Sequence, residues 1–492
     1  MNSDTRYVFD TTASSSCRCP GRIVGDLSRR SFLMNSSAGF GWMALSGLLA
    51  DRAFSGEPAQ RSHFPPRANN VILCFMDGGP SHVDTFDPKP MLSKHEGKTI
   101  GAGAVSKRAQ SAPDRVWLGS PWKFRRRGES GLWVSDLFPH IAGVVDDLCV
   151  IRSMLGELPL HGQQNLLLHT GSIIGQAPSF GAWISYGLGS ENQNLPGYML
   201  LNNDWVPNGG VENFGSSFLP ASHQATMLRP TGVPVDNIVP SDSLELQKRK
   251  LAFLTEQDRE FVQASADDDA IEGAIANYET AFRMQSAVPE IADIRDEPEH
   301  IRKLYGVDSS DEYQKLYATQ ALRARRLVEA GVRFVEITCP SFDGNNSPWD
   351  QHSQLKKNHE KNALVTEQSV SALIIDLKQR GLLEETIVVW AGEMGRTPHT
   401  PKITPTCGRD HHVNGYTIFM AGGGFTGGVA YGRTDEFGNS IVADQVDIHD
   451  IHATILHQLG VDHERLTFRH GGRDHRLTDV HGRVMKSLIG DV

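Results

Sequence analysis

Acidic and imidazole side chains recur in this sequence just after segments that are expected to form strands. The first is Asp77, which follows the unbroken apolar run Val71–Met76 and begins a tight Gly-Gly-Pro turn. An apolar run of this length is typical of a strand buried on both faces of a parallel sheet. Ligands of open α/β sheets bind beyond the carboxyl ends of the strands. Asp77 is therefore a candidate metal or anion ligand, or else only a cap of the turn that follows it.

The same pattern returns in the second half of the chain, after three further predicted strands or their exit loops. Carboxylate and imidazole groups together are typical ligands of zinc, manganese and similar divalent ions rather than partners in thiolate chemistry. Four such groups in distant segments are hard to explain as turn caps alone. We therefore predict a divalent metal site, with zinc, manganese or calcium as candidates. The predicted ligands are Asp77, Asp350, His352, Glu393, Asp410 and His411.

Three other side chains are candidates for the reaction itself. His161 stands where a loop enters a helix that is predicted to stop at Gly171, and the start of a helix attracts anions through its free N–H groups and its dipole. It is interpreted as a ligand or nucleophile, or alternatively as a structural histidine. Arg396 would clamp an anionic group through two hydrogen bonds, or would pair with Glu393 or another neighbour. Ser81 is a second candidate nucleophile, beside a water activated by the metal.

The composition is that of a soluble globular protein. The chain has 492 residues, of which 39% are hydrophobic and 22% charged, so it can bury a large core. The formal net charge is -10, from 48 Lys and Arg against 58 Asp and Glu, which argues against nucleic acid as a partner. The six cysteines show no spacing typical of a zinc site or of a disulfide framework.

Residues 1–50 are predicted to be an export signal rather than part of the fold. The twin-arginine motif S-R-R-S-F-L at residues 28–33 precedes a mildly apolar run at residues 38–50. That run is too short and too rich in Gly and Ser for a good membrane span. We expect the twin-arginine export machinery as a partner and a periplasmic or other extracytoplasmic location. The competing interpretation is a chance Arg pair before an amphipathic helix.

Strand, loop and helix alternate along the rest of the chain, which predicts an α/β fold with a mostly parallel central sheet flanked by helices. Residues 51–68 are interpreted as a linker and residues 69–492 as one domain. The charged segment at about 241–305 predicts an inserted helical region, and Val134–Val145 is also predicted to be a helix. The main predicted strands after the first are Leu148–Met154, Gly197–Leu201, Val332–Thr338, Thr386–Trp390 and Tyr416–Met420.

Five segments resemble the domain-of-unknown-function 1501 family, and the resemblance runs from about Asn70 to the end of the chain. Members of that family often carry a twin-arginine leader. The segments are Gly78–Pro90, Arg325–Phe334, Trp349–His352, Gly392–Pro398 and Asp450–His457.

Parts of the chain are in turn similar to the alkaline phosphatase and sulfatase superfamily. The strand that ends at Asp77 resembles that superfamily's first metal-binding strand, and His161–Gly171 resembles the helix that carries its nucleophile. Thr386–Gly395 resembles the strand that ends in a metal-binding Asp-His-Gly, and Val446–Gly460 resembles the late helix of sulfatases. The resemblance implies an alkaline-phosphatase-like sandwich that hydrolyses phosphate or sulfate esters of a small molecule or a polysaccharide.

The departures from that superfamily leave two hypotheses open. His161 stands where the superfamily has Cys, Ser or Thr, no C-x-P-S-R motif is present, and Glu393-Met394 replaces an Asp-His pair. Asp77 also stands alone where sulfatases have paired Asp. One hypothesis is a metal-dependent hydrolase, with a phosphohistidine-type intermediate at His161 as a variant. The other is a non-catalytic binding or scaffold protein on a degenerate fold. Nucleotide binding through the Gly-rich run 422–428 is disfavoured, because the run lacks the Lys of a phosphate loop.

Overall fold

The structure, a computed structural model, describes residues 62–203, 205–235, 238, 242–264, 269–342 and 347–490. The predicted export signal at residues 1–50 and most of the predicted linker at residues 51–68 lie outside these ranges.

A nine-stranded sheet forms the centre of the described part of the chain. Its strands are β1 (Asn70–Phe75), β2 (Leu148–Leu155), β3 (Tyr198–Leu201), β4 (Thr226–Leu228), β5 (Phe334–Thr338), β6 (Thr386–Ala391), β7 (Asn414–Ala421), β8 (Val429–Tyr431) and β9 (Val446–Asp447). The spatial order is β8-β2-β7-β6-β1-β5-β3-β4, and β9 pairs with β2. Only β7 runs antiparallel to its neighbours within this sheet. The predicted α/β fold with a mostly parallel central sheet is confirmed.

Eight helices of seven or more residues are present in the described ranges. They are α1 (His161–Thr170), α2 (Phe180–Leu188), α3 (Leu244–Ala264), α4 (Asp269–Ala292), α5 (Glu299–Tyr305), α6 (Glu312–Glu329), α7 (Leu355–Gln379) and α8 (Ile448–Gln458). Helices α3, α4 and α5 fall within the segment where the sequence predicts an inserted helical region. None of the described helices combines the length and the apolar character that a membrane crossing requires.

Both faces of the sheet are buried, and successive residues of β1 show why its sequence is apolar after Asn70. Ile72 and Cys74 belong to a core that also contains residues of α6 and α7. Val71, Leu73 and Phe75 belong to a second core, shared with α1, α2 and α8. A strand with helices on both sides has no polar face, so its side chains do not alternate in polarity.

The remaining elements are short. Single-turn helices cover His82–Thr85 and Pro90–Lys94. Five two-stranded ladders pair Val116–Trp117 with His399–Thr400, Phe124–Arg127 with Leu132–Ser135, Gly395–Arg396 with His411–His412, Arg433–Thr434 with Ile441–Ala443, and Phe468–His470 with Arg473–His475. The 3₁₀ turns are Ala102–Ala104, Ile141–Gly143, Val145–Asp147, Gly210–Phe214, Ala221–His223, Leu383–Glu385 and Lys486–Leu488.

The helix predicted over Val134–Val145 is wrong. The segment begins inside the strand Leu132–Ser135 and continues as 3₁₀ turns. Two features explain the difference. Leu132 and Val134 are buried while Trp133 is exposed, which is the alternation of a strand, and Pro139 disfavours helical backbone in the residue before it.

Candidate metal centre

Three histidine side chains converge on the carboxylate of Asp350. The Nε2 atom of His352 lies 3.1 Å from Asp350 Oδ1, that of His411 lies 3.4 Å from the same oxygen, and that of His161 lies 3.4 Å from Oδ2. The Nε2 atoms of His352 and His411 are 2.9 Å apart. Ligand atoms of His161, Asp350 and His411 all lie within 4.8 Å of one another, a spacing at which one metal ion could be held.

Three segments, far apart in sequence, bring these side chains to one edge of the sheet. His161 is the first residue of α1 and follows β2, while Asp350 and His352 lie between β5 and α7. His411 lies just before β7. Because β7 is antiparallel, its amino end meets the carboxyl ends of β1, β5 and β6. The one reversed strand therefore allows His411 to join a site built at the carboxyl edge.

Each of the three histidines turns its other ring nitrogen, Nδ1, toward an acceptor. The pairs are His161 with Glu393 Oε1 at 2.6 Å, His411 with the Pro159 carbonyl at 2.8 Å, and His352 with Asp410 Oδ1. An acceptor at Nδ1 holds the proton of a neutral imidazole there and leaves the Nε2 lone pair facing Asp350. Histidine ligands of metal ions are oriented in this way, through a carboxylate or carbonyl at the second nitrogen.

Three nitrogen lone pairs around a carboxylate repel one another unless positive charge lies between them. Burial disfavours the charged imidazole of His161, but hydrogen bonds to Asp350 and Glu393 outweigh it and raise its pKa to about 9. Hydrogen bonds to Asp350 and Asp410 raise the pKa of His352 to about 9 as well. Without a metal ion, His161 and His352 thus carry a second proton at pH 7, on Nε2, and a bound cation would take the place of those protons. The nitrogen and oxygen donors of the cluster fit a divalent ion such as zinc or manganese.

Two buried carboxylates lie behind the three histidines. Asp77 and Glu393 are both fully buried. Asn165 donates to Asp77 Oδ1 at 3.3 Å, whereas Asp77 Oδ2 has no hydrogen-bond partner in the described part of the chain. Burial and the charge of Glu393 raise the pKa of Asp77 well above its usual range. A cation or a shared proton would satisfy the unpartnered oxygen.

Arg396 is fully buried, and each of its three nitrogens donates to an acceptor of the chain itself. Nη1 lies 2.5 Å from Asp350 Oδ1, Nε lies 3.1 Å from the Gly79 carbonyl, and Nη2 bonds to the Gly78 carbonyl. Burial alone would raise the pKa of Asp350, but Arg396 and the histidines hold it well below its usual range. The described contacts of Arg396 thus hold Asp350 in place.

Ser81 lies in a separate buried cluster. Its Oγ donates to Asp84 Oδ2 at 2.6 Å, and Arg409 binds the same carboxylate through Nε at 2.6 Å and Nη2 at 3.1 Å. All three residues are fully buried. These contacts join the turn after β1 to the loop that carries Arg409, and none of the contacts described for Ser81 reaches Asp350.

The predicted site residues therefore fall into distinct groups in the structure. Asp350, His352 and His411 converge, and His161 completes that group. Glu393 and Asp410 orient histidines, and Asp77 lies behind them. Sequence inspection did not single out Arg115, which pairs with Asp410, or the Pro159 carbonyl, which orients His411. Neither has a local sequence signal, because both act on partners from distant segments.

Fold and site together define an α/β protein with a cluster of side chains that could hold a metal ion at the carboxyl edge of its sheet. The model of the family described as "Protein of unknown function (DUF1501)" matches residues 68–489, and the chain belongs to this family. The family predicted from the sequence motifs is thereby confirmed. No curated protein matches the sequence.

Several solved structures are similar in outline. The lipoteichoic acid synthase LtaP from Listeria monocytogenes is 10% identical, with 85% of this chain and 78% of that chain covered and a TM-score of 0.35. The PsFucS1 sulfatase from Pseudoalteromonas sp. is 13% identical, with 86% and 72% covered and a TM-score of 0.34. The phosphonate monoester hydrolase of Agrobacterium radiobacter is 10% identical, with 80% and 74% covered and a TM-score of 0.33. Similarity at this level assigns no role to any residue.

Proposed function

We propose that this protein is a metal-dependent hydrolase of phosphate or sulfate esters. The observation that carries the proposal is the convergence of three Nε2 atoms on Asp350, each imidazole being oriented by an acceptor at Nδ1. His161, His352, His411 and Asp350 are the proposed ligands. This assignment makes His161 a ligand and gives Glu393 and Asp410 orienting roles.

A bound divalent ion would act as a Lewis acid toward an ester oxygen and lower the pKa of a water molecule. The residues of the chain prepare the site for that chemistry. Glu393 and Asp410 hold protons on the Nδ1 atoms of His161 and His352, and Arg396 holds Asp350. Helix α1 has no side-chain cap at its start, so its first-turn N–H groups are available to an anionic ester group.

His161 has a second role to be weighed, that of nucleophile. In that role Nε2 would bond to the phosphorus of a phosphate ester while the P–O bond to the leaving alcohol breaks. One Nε2 lone pair cannot bind a metal ion and attack phosphorus at the same time. His161→Ala separates the roles: a ligand role predicts metal loss, and a nucleophile role predicts full metal content without turnover.

The test of the proposed function is the metal content of the purified protein, measured by elemental mass spectrometry. The Asp350→Ala, His411→Ala double variant is compared with Asp296→Ala, His300→Ala, which removes an exposed acid and an exposed histidine from elsewhere. We expect stoichiometric metal in the parent and the control but not in the site variant. The metal-loaded parent should then hydrolyse p-nitrophenyl phosphate or p-nitrophenyl sulfate. A parent that takes up no zinc or manganese would refute the proposal.

The second candidate function is a non-catalytic binding or scaffold protein. It is favoured by the pairing of Asp350 with Arg396 and of Asp410 with Arg115, which satisfies two of the acids without a metal. This candidate predicts a folded parent that holds no metal after dialysis against zinc or manganese. The metal measurement therefore distinguishes the two functions before any substrate is known.

We further propose that the protein acts outside the cytoplasmic membrane, exported by the twin-arginine route. The support is the motif at residues 28–33, which lies outside the described residues. Replacement of Arg29 and Arg30 by Lys tests this proposal by cell fractionation. The parent should be recovered outside the cytoplasm and the variant inside it; equal distributions would contradict the proposal.

A further inference from the structure

A cavity of about 290 Å³ lies at the edge of the sheet opposite to the candidate metal centre. Gly197, just before β3, and Thr226, the first residue of β4, both line it. Strands β3 and β4 run in the same direction as β1, so their amino ends lie at the edge away from Asp350. The cavity is therefore separate from the candidate ester site, and its volume is near the lower end of the range for small-molecule pockets.

Three segments form the walls of this cavity. One runs from the end of α2 through the loop before β3, and a second is the 3₁₀ turn Ala221–His223 with the residues that follow it. The third is helix α4, which contributes Thr280 and Met284. The inserted helical region thus supplies one wall of the cavity.

The lining offers hydrogen-bonding side chains that the protein itself does not use. Gln193, Ser222, Gln224 and Thr280 line the cavity, and none of their side chains forms a hydrogen bond or ion pair with another described residue. Amide and hydroxyl groups both donate and accept hydrogen bonds, so they match a ligand whose groups also do both.

His223 lines the same cavity and is held by Ser185, whose Oγ lies 3.0 Å from His223 Nδ1. Burial lowers the pKa of His223 to about 4, so its imidazole is neutral at pH 7. Its Nε2 has no partner within the described ranges and is left for a ligand. So low a pKa makes His223 a poor general base, and no acid among the described residues orients it. The pair therefore indicates binding rather than a Ser-His nucleophile.

The charge of the lining indicates what kind of ligand fits. No Asp or Glu occurs among the residues that line the cavity in the described chain. The one cationic side chain there, Arg283, lies 4.0 Å from Glu279, which offsets its charge. A neutral ligand fits this balance better than an anion or a cation.

We propose that this cavity binds a neutral, polyhydroxylated small molecule of the size of a monosaccharide. The hydroxyl groups of such a ligand would pair with Gln193, Ser222, Gln224 and Thr280, and with the free nitrogen of His223. The proposal does not depend on the metal centre, since no residue is shared between the two sites.

The experiment uses the full-length protein and a fixed panel of glucose, galactose, mannose and fucose, with glucuronate as the charged comparison. Saturation-transfer NMR detects binding of each sugar, and titration gives its affinity. The Gln193→Leu, Gln224→Leu double variant removes two free amides without breaking a described contact. Gln379→Leu, an exposed position at the end of α7, is the matched control.

We expect at least one neutral sugar to bind the parent and the control, with at least a tenfold loss of affinity in the double variant. Metal content and circular dichroism should be the same in all three proteins. The proposal is overturned if none of the four neutral sugars binds the parent, if the double variant binds as well as the parent, or if glucuronate binds more tightly than every neutral sugar.

Discussion

Glu393 Oε1 lies 2.6 Å from His161 Nδ1, and this contact decides which nitrogen of the imidazole faces Asp350. Glu393 is itself held in place, because the Gly78 N–H donates to both of its oxygens and Gln164 donates to its carbonyl. The carboxylate is fully buried, so its hydrogen bond to His161 is not weakened by water. Glu393 thus fixes the orientation of His161, a proposed metal ligand, from the side away from Asp350.

Glu393→Gln should weaken metal binding by about 10- to 100-fold, as is typical for the loss of an orienting carboxylate. The amide still has an oxygen for His161 Nδ1–H but loses the negative charge that makes the imidazole more basic. Competition with a coloured chelator measures the affinity. Glu384→Gln, at an exposed position, is the control and should bind metal as the parent does. Equal affinities in both variants would show that Glu393 does not support a ligand.

Arg396→Lys should lower the free energy of unfolding by about 2 kcal/mol or more, because one ammonium group cannot reach the three acceptors that the guanidinium bonds. The buried carbonyls of Gly78 and Gly79 would lose their donors. Urea unfolding in the presence of a chelator measures the effect without a contribution from metal. Arg125 pairs with Asp136 at the surface, and the control variant Arg125→Lys should leave the urea unfolding curve unchanged. If Arg396→Lys is as stable as the parent, Arg396 is not a structural residue, and binding of an anionic substrate group would be the better explanation for it.

Gly78→Ala should destabilise the protein by more than the roughly 1–2 kcal/mol that a left-handed backbone costs a residue with a Cβ. Gly78 has φ of +103°, and an added Cβ would lie 2.5 Å from the Asp350 nitrogen. Gly381, which follows α7, has φ of +73° and nothing within 4 Å of such a Cβ, so Gly381→Ala should show the backbone cost alone. Urea unfolding compares the two variants. Similar losses would mean that the loop bearing Asp350 moves away at little cost.

Acid should destabilise the fold in part through buried neutral histidines such as His452, whose pKa burial lowers to about 3. Its unfolded pKa is 6.5, so between these values the unfolded state binds the extra proton. Stability should therefore fall as the pH drops below 6.5, by up to about 1.4 kcal/mol per pH unit for each such group. Urea unfolding from pH 7 to pH 4 should show a shallower fall in His452→Gln than in the parent. Parallel curves would contradict this assignment.

The sequence allowed the elements of the fold to be predicted because their signals are local. The apolar run after residue 70 marked β1, and the Gly171 stop marked the end of α1, where the structure has a left-handed residue with φ of +69°. The approximate location of the site followed from acids placed after strands. The role of each site residue could not be predicted in this way, because the contacts of Asp410 with Arg115 and of His411 with the Pro159 carbonyl join distant segments. The helix predicted at Val134–Val145 is wrong for a local reason: the segment is rich in apolar residues, but at its start they alternate with exposed ones, as in a strand.

The central position of β1 has a consequence for biosynthesis. β1 pairs with β5 on one side and β6 on the other, and Asn70 already bonds to the Val332 carbonyl, 262 residues later in the chain. A ribosome-bound chain thus carries this apolar strand without its two partner strands until most of the protein has been made. Strands that pair over such long sequence separations fold slowly, and their exposed apolar segments can aggregate in the meantime. Chaperones protect chains at this stage. Since His411 emerges after β6, metal uptake would be among the last events of maturation.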